Sequence, residues 1–468
     1  MIKPADVKDF VFKNRLIVFM YLFSTFFFLY QHTTGISWDF ATYVLNAKYI
    51  FGNGFYFELL RPPLAQTLLG LFSVFGWLAA EYVYIIFVST FYLFSCIKVS
   101  ETINVDKRMF YALSMNPLLL VFGLSVGTEL LTLAFLQMFV SRVLKKDGLK
   151  SGMYAGLNSL LRYTNFIYLP VILFTKNLKT ILKFSLVFIL LFLPWLWFSF
   201  VFSGNPLTAI ADSYALSVKY RVDNSGGFNI YDLILAANYL LPLFLLGIWF
   251  KIRKGALDKK DWIMLTIIIL TFISYYRIPI KHPRYFFNLI LPLAYFSIIF
   301  LKKFKVKAEH IGLVNLILGI SLVWLIMVTP QGEIPDLTLP YPPYHPNLTE
   351  NCMISSNRWV ILDYLGKPAE PAPRDFRVKE YVDKGYRIII YKDPEPDYSR
   401  NTTFLKQFPV MEESEKYVIL GNESLCLPPY TFDKIYLEQL NESIYLKYNY
   451  SIETDPCKIL LPGFICPS

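Results

Sequence analysis

The stretch from Ser37 to Leu64, SWDFATYVLNAKYIFGNGFYFELLRPPL, decides the fold. It follows directly on a long apolar run and places Asp39, Glu58 and Arg61 where that run ends. Charged groups at the rim of an apolar bundle cost desolvation energy, so they are read first as functional groups. Asp39 opens an amphipathic segment with Phe40, Tyr43, Val44 and Ala47 at helical spacing, a pattern that lays one face on a core. An aspartate there reads either as the cap of the helix or as a working carboxylate, and spacing alone leaves both open.

Around this stretch the chain is that of a membrane protein. Fifty-five per cent of its residues are hydrophobic and only 17 per cent charged, far from the balance of a soluble domain. Apolar runs of bilayer length recur from Leu16 to Val328, and after Pro330 the texture turns polar with short alternating strands. We expect a polytopic α-helical membrane domain over residues 1–330 and a soluble, extracytoplasmic α/β domain over 331–468. About eleven spans are expected, the first a signal anchor, with Pro62–Trp77 as a juxtamembrane helix on the outer face. Two pieces, 151–162 and 163–175, are each too short to cross. They read as a broken or re-entrant pair with Arg162-Tyr163 at its outer tip, and broken helices at membrane depth line cavities.

Charge sets the sidedness. Residues 1–330 hold 31 Lys/Arg against 15 Asp/Glu, whereas 331–468 hold 14 against 20, so the basicity belongs to the membrane domain and nucleic-acid binding is a poor reading. Short basic loops stay in the cytoplasm, which puts the N-terminus inside. The tail carries five N-x-S/T sequons, beginning at Asn347, and Cys352, Cys426, Cys457 and Cys466. Sequons and an even cysteine count belong to an exported, oxidising compartment, so two disulfides are expected outside the membrane, with Cys96 a buried thiol. Strands are expected at Asn351–Ser355, Arg387–Tyr391 and Tyr417–Leu420, with helices at Trp359–Leu365 and Val378–Lys384.

The outer face then collects the candidate residues. Its carboxylates include Asp39, Glu58, Glu129 and Asp212; its basic residues include Arg61, Arg162, Arg221 and Arg284. Outer arginines run against the positive-inside bias, and guanidinium binds phosphate oxygens through paired hydrogen bonds. Asp39 and Glu129 supply acidic groups from two elements to one outer cavity, as general-base or metal-assisted chemistry needs. The four histidines make no zinc spacing, and a divalent ion (Mg or Mn) held by Asp39 and Glu129 is left open. The loop Ser203–Phe228, with Arg221 and the Gly226-Gly227 pair, reads as a segment that orders over substrate.

The order of these pieces resembles the GT-C superfamily of integral-membrane glycosyltransferases. They are Asp39, then Tyr56-Phe57-Glu58-Leu59-Leu60-Arg61-Pro62-Pro63-Leu64, Glu129, Leu161-Arg162-Tyr163…Leu169-Pro170 and Lys281-His282-Pro283-Arg284-Tyr285…Leu291-Pro292. The likeness is strongest to the branch of aminoarabinose transferases and protein O-mannosyltransferases, and it spans most of residues 14–329. It implies transfer of a sugar, with inversion, from a polyprenyl- or dolichyl-phosphate carrier to a glycan, lipid or protein acceptor at the outer or luminal face. Asp39 matches the acidic residue of the first outer loop, implied to be the base, although Phe40 follows it where mannosyltransferases place a second carboxylate. Arg61 stands where the aminoarabinose transferase has a lysine beside Pro-Pro, implying a donor-phosphate contact, with Glu58 shortly before it. Glu129 replaces the usual aspartate of the second acidic position. Arg284-Tyr285 matches a late Arg-Tyr pair near the donor phosphate, with His282 as its neighbour on the substrate side. The competing class is a transporter or lipid flippase with a glycosylated ectodomain, since broken helices also mark transporters. No inverted repeat is visible, and the charges lie at one face rather than the midplane.

Overall fold

The computed structural model of the protein describes residues 14–52, 54, 56–219, 228–255, 257–278, 281–328, 351–373, 375–392, 402–414, 417–429 and 455–460. Five helical runs among them are long and apolar enough to cross a membrane: Arg15–Thr34, Trp77–Ile103, Leu178–Ser203, Pro283–Lys303 and Ala308–Leu325. A sixth results if Ile230–Ala237 and Leu240–Arg253, which meet at 87°, count as one. The count of about eleven spans expected from the sequence is not confirmed. Several of those runs are helical but short or broken. Residues 107–122 divide at Asn116-Pro117, where the Asn116 side chain accepts the Leu118 amide at 2.8 Å and starts a new helix, Pro117–Phe122. Hydropathy sees one apolar run there; the asparagine cap and the proline ring at the first helical position make it two.

Two features that position the candidate site follow the sequence closely. A helix forms where one was expected, as Pro63–Phe72 with a 3-10 turn Ser73–Phe75 behind it, Pro63 taking the first helical position. The expected break at Arg162 is also present. An α-helix Gly148–Leu161 ends on extended Arg162 (φ −151°, ψ 119°), and a 13-residue 3-10 helix, Tyr163–Thr175, continues with Pro170 inside it. A glycine every fourth residue lets Gly148–Leu161 press onto Leu178–Ser203. A Cβ at Gly148 would lie 2.3 Å from the Thr180 carbonyl oxygen, one at Gly152 2.4 Å from that of Phe184, and one at Gly156 2.8 Å from the Leu191 side chain. Small residues of this kind allow close backbone approach inside membranes. Gly152→Ala is therefore expected to destabilise by the overpacking cost of about 1–3 kcal/mol. Gly156→Ala, which meets only a movable side chain, should cost less. Melting temperatures of the two purified variants check the order.

The C-terminal unit is a five-stranded sheet in the order β2-β1-β3-β5-β4. β1 (Ile354–Ser356) pairs in parallel with β2 (Ala369–Pro371) and with β3 (Arg387–Tyr391), and the antiparallel pair β4 (Val410–Glu413) and β5 (Tyr417–Leu420) extends it from β3. Helices Trp359–Tyr364 and Val378–Asp383 make the crossovers. The expected strands and helices are all found; β2 and β4 were not expected. Along β3 the two faces part by strand periodicity. Ile388 and Ile390 enter a core with Val378, Val382 and Leu420. Ile389 and Tyr391 belong instead, with Trp359 and Val360, to the apolar core that continues into the helical bundle. The boundary expected at residue 331 lies outside the described residues. Cys352 and Cys426 form a disulfide across a separation of 74 residues, Cys457 is also disulfide-bonded, and Cys96 is a buried free thiol. Loss of the first bridge, in Cys352→Ser, should cost about 2–5 kcal/mol, read as earlier proteolysis of this unit while the bundle stays intact.

Candidate active site

Three arginines arrive at one place from three local devices. Arg61 closes a turn on Glu58 (amide to carbonyl, 3.2 Å) just ahead of Pro62-Pro63. The turn is pinned to the helix Trp38–Phe51 by buried Asn46, which accepts the Glu58 amide at 2.8 Å and donates to the Glu58 carbonyl at 2.9 Å. Arg162 sits at the break between two helices, and Asn165 ties that break by donating to the Asn158 carbonyl at 3.0 Å. Arg284 lies in the 3-10 helix Pro283–Leu289, its amide donating to His282 Nδ1 at 3.0 Å. His282 is therefore the cap of this helix, with its ring edge-on to Phe122 at 5.3 Å between centroids. Its role in this geometry is to fix Arg284.

Each guanidinium meets a carboxylate. Arg61 Nη1 donates to Asp39 Oδ1 at 2.6 Å and its Nε to Glu58 Oε2 at 2.6 Å. Arg284 Nη1 reaches Asp39 Oδ2 at 3.2 Å, and Arg162 Nη1 reaches Glu129 Oε1 at 2.7 Å. Tyr285 lies between two of them, its ring 5.6 Å from the Arg162 guanidinium and 5.4 Å from that of Arg284. Arg284 Nε is buried without a hydrogen-bond partner, a donor still lacking an acceptor. Asp39 does not cap its helix. Ser37 does, accepting the Phe40 amide at 3.2 Å, which leaves the aspartate carboxylate to the arginines. Glu129 stands in the first turn of the helix Glu129–Leu144 and binds Arg162, a pairing the sequence did not suggest.

Exposure ranks these groups. The side chains of Arg61, Arg162 and Arg284 are 19, 21 and 21 per cent exposed and Asp39 is 24 per cent, whereas Glu58 and Glu129 are each 1 per cent. An entering ligand therefore meets three cations and one carboxylate, with the other two carboxylates buried behind. Burial by itself raises the Asp39 carboxyl, but Arg61 and Arg284, with Arg162 further off, outweigh it and hold the group well below the usual carboxylate range. Glu129, Arg162, Asn165, Arg284 and Tyr285 line a narrow cleft. A roomier groove between Arg15–Thr34 and Ala308–Val328 is lined mainly by apolar side chains such as Leu16, Phe19 and Leu313; it holds none of these arginine and carboxylate pairs.

Of the residues singled out in the sequence, Asp39, Glu58, Arg61, Arg284 and Tyr285 join one network, and Glu129 with Arg162 abuts it. Arg221 lies outside the described residues. Tyr56 was quoted but given no role; its hydroxyl donates to Glu58 Oε1, and the signal was the i, i+2 spacing of an extended segment, which puts both side chains on one face. Asn46 and Trp38 carried no signal. A divalent ion on Asp39 and Glu129 would compete with the arginines for the same oxygens. Among the described residues no group of three or more His, Cys, Asp or Glu side chains comes together. The donor set does not fit a resident metal, and no step is routed through one.

The helices and the small α/β unit thus make a broken-helix membrane bundle that carries an arginine and carboxylate rim. Two solved structures of ArnT from Cupriavidus metallidurans have a similar fold. One is the form bound to undecaprenyl phosphate (TM-score 0.57) and the other the apo state (TM-score 0.60). Each is 10 per cent identical in sequence to this chain, and each alignment covers 88 per cent of this chain and 99 per cent of ArnT. No protein-family model matches the sequence, and no curated protein matches it.

Proposed function

We propose that the protein is a glycosyltransferase that takes a sugar from a polyprenyl- or dolichyl-phosphate carrier at the extracytoplasmic face of the membrane. The observation that carries the reading is the ring of Arg61, Arg162 and Arg284, a fifth exposed each, around a single accessible carboxylate. Support also comes from the shared fold with ArnT, one structure of which is bound to undecaprenyl phosphate. In the reaction the acceptor hydroxyl oxygen attacks the anomeric carbon, its proton passes to Asp39, and the bond from that carbon to the phosphate oxygen breaks. The phosphate leaves with the electron pair, stabilised by the guanidiniums. Attack opposite the leaving phosphate inverts the anomeric configuration. Glu58 and Glu129 orient Arg61 and Arg162 from behind.

The N-terminus is assigned to the cytoplasm and the C-terminal unit, from about residue 331, to the outside or lumen, supported by its sequons and the Cys352–Cys426 bridge. The test uses the full chain in lipid nanodiscs with dolichyl-phosphate mannose, dolichyl-phosphate glucose and a polyprenyl-phosphate pentose. Release of the lipid monophosphate from one of them is expected. Failure to bind any polyprenyl monophosphate, together with solute or lipid movement across vesicles, would transfer the reading to a transporter.

The outer helix Thr208–Tyr214 carries a second carboxylate with a pH signature. Asp212 is buried, its Oδ2 has no hydrogen-bond partner, and burial pushes its carboxyl up to about 7. A folded-state value above the unfolded one means that the protonated form favours the fold. Its contribution is full below the unfolded carboxylate range and lost as pH rises through about 7. Asp212→Asn should therefore leave the melting temperature at pH 4 nearly unchanged and raise it at pH 8. The limit is about 4 kcal/mol for a shift of roughly three units.

A further inference from the structure

We propose that Trp359 of the C-terminal unit is a positioning residue for Arg61, so that this unit forms part of the working site. The proposal rests on the donor-phosphate reading above. Trp359, 5 per cent exposed, opens the helix Trp359–Tyr364, which packs on the helix Trp38–Phe51 that carries Asp39. Its indole stands edge-on to Trp38, with centroids 5.7 Å apart, and to Tyr56 at 5.3 Å. Trp38 directly precedes Asp39. Tyr56 donates its hydroxyl to Glu58 Oε1, and the other Glu58 oxygen holds Arg61 Nε at 2.6 Å. Arg61 in turn reaches Asp39.

Asn46 already fixes the Glu58 backbone, as described, and the Glu58 carboxylate is held between Arg61 on one oxygen and Tyr56 on the other. That ring is held from the C-terminal unit by the indole. The far end of the same helix is anchored separately: the Tyr364 hydroxyl donates to Glu81 Oε2 at 2.8 Å, and Lys48 lies 5.5 Å over the Tyr364 ring. The two anchors therefore divide the labour. Tyr364 docks the unit, and Trp359 transmits its position to the arginine through Tyr56 and Glu58.

The experiment measures binding of dolichyl phosphate to the full chain in nanodiscs, for the wild type, Trp359→Ala, Trp359→Phe, Tyr56→Phe, the double variant Trp359→Ala/Tyr56→Phe, and Tyr364→Phe. Trp359→Ala is expected to weaken binding about tenfold, Trp359→Phe to recover most of the loss, and Tyr56→Phe to reproduce it. The double variant should be no weaker than either single one, because residues acting in series are not additive. Tyr364→Phe should bind as the wild type does. If Trp359→Ala does not fold, Trp359→Leu, which also removes the ring, takes its place in the cycle. Unchanged affinity in the variant that lacks the ring, losses that multiply in the double variant, or an equal loss in Tyr364→Phe overturns the proposal. A wild type that does not bind dolichyl phosphate overturns the donor reading itself, and this role falls with it.

Discussion

Asp39→Asn is expected to abolish most transfer while tightening the grip on a polyprenyl monophosphate. The two effects have opposite signs because Asp39 plays two parts. It is the one accessible carboxylate of the ring and the natural base for an acceptor hydroxyl, and removal of such a group lowers turnover by about 10²- to 10⁴-fold. It is also a competitor. Both its oxygens are taken by guanidiniums, Arg61 at 2.6 Å and Arg284 at 3.2 Å, and these are the donors a phosphate needs. A carboxylate held that way is a weak base, since its proton affinity is depressed by the charges facing it. On the proposed reading, a donor phosphate would draw the arginines toward itself and return basicity to Asp39, so that donor binding would precede base activation. Asparagine keeps the shape and removes the competing charge. A phosphate that no longer displaces a charge-assisted hydrogen bond, each about 1.5–3 kcal/mol, should bind roughly ten times more tightly. Turnover and dolichyl-phosphate affinity of the purified variant check both halves. Normal turnover sinks the base assignment, and weakened binding sinks the competition.

The sequence made the chemistry more legible than the bundle. Side and order of charged residues pointed to Asp39, Arg61, Glu129, Arg162 and Arg284 because a membrane leaves few reasons to keep a charge at its rim. The break at Arg162 was visible because its flanks, 151–162 and 163–175, are each too short to cross. What stayed hidden was what depends on side-chain geometry across distant segments. Asn116-Pro117 splits a run that hydropathy scores as one. Ser37, not Asp39, caps its helix, a distinction of two residues that composition does not resolve. Trp359 lies some 300 residues along the chain from the helix it packs on, and no local periodicity reports a contact of that range. The sheet was legible at β1, β3 and β5, where apolar runs are strong. It was not legible at β2, whose Ala369-Glu370-Pro371 has no strand propensity and pairs because β1 offers it an edge.

Arg284→Ala is expected to have the largest effect on donor binding of the three arginines. Arg61 binds two carboxylates and Arg162 a buried glutamate at 2.7 Å, whereas Arg284 has a buried Nε with no acceptor and a longer carboxylate contact, at 3.2 Å. It is the guanidinium with most left to give a phosphate. Its loss should weaken dolichyl-phosphate binding by about ten- to a hundredfold, the equivalent of one or two charge-assisted hydrogen bonds at about 1.5–3 kcal/mol each. Arg284→Lys should recover part of this, since an ammonium restores charge but not the planar fork. The same substitution removes one of the three cations that hold Asp39 low. The sign of the second effect follows. A carboxyl whose folded value is depressed stays ionised until pH falls through that value, so relieving the depression moves the acid limb of the pH profile upward. Arg284→Ala should therefore lose its residual turnover at a higher pH than the wild type, while Arg162→Ala, whose arginine is bonded to Glu129 rather than to Asp39, should shift that limb less. Matched pH profiles of kcat at saturating donor decide it: identical acid limbs in all three proteins would mean that Asp39 is not the group being titrated.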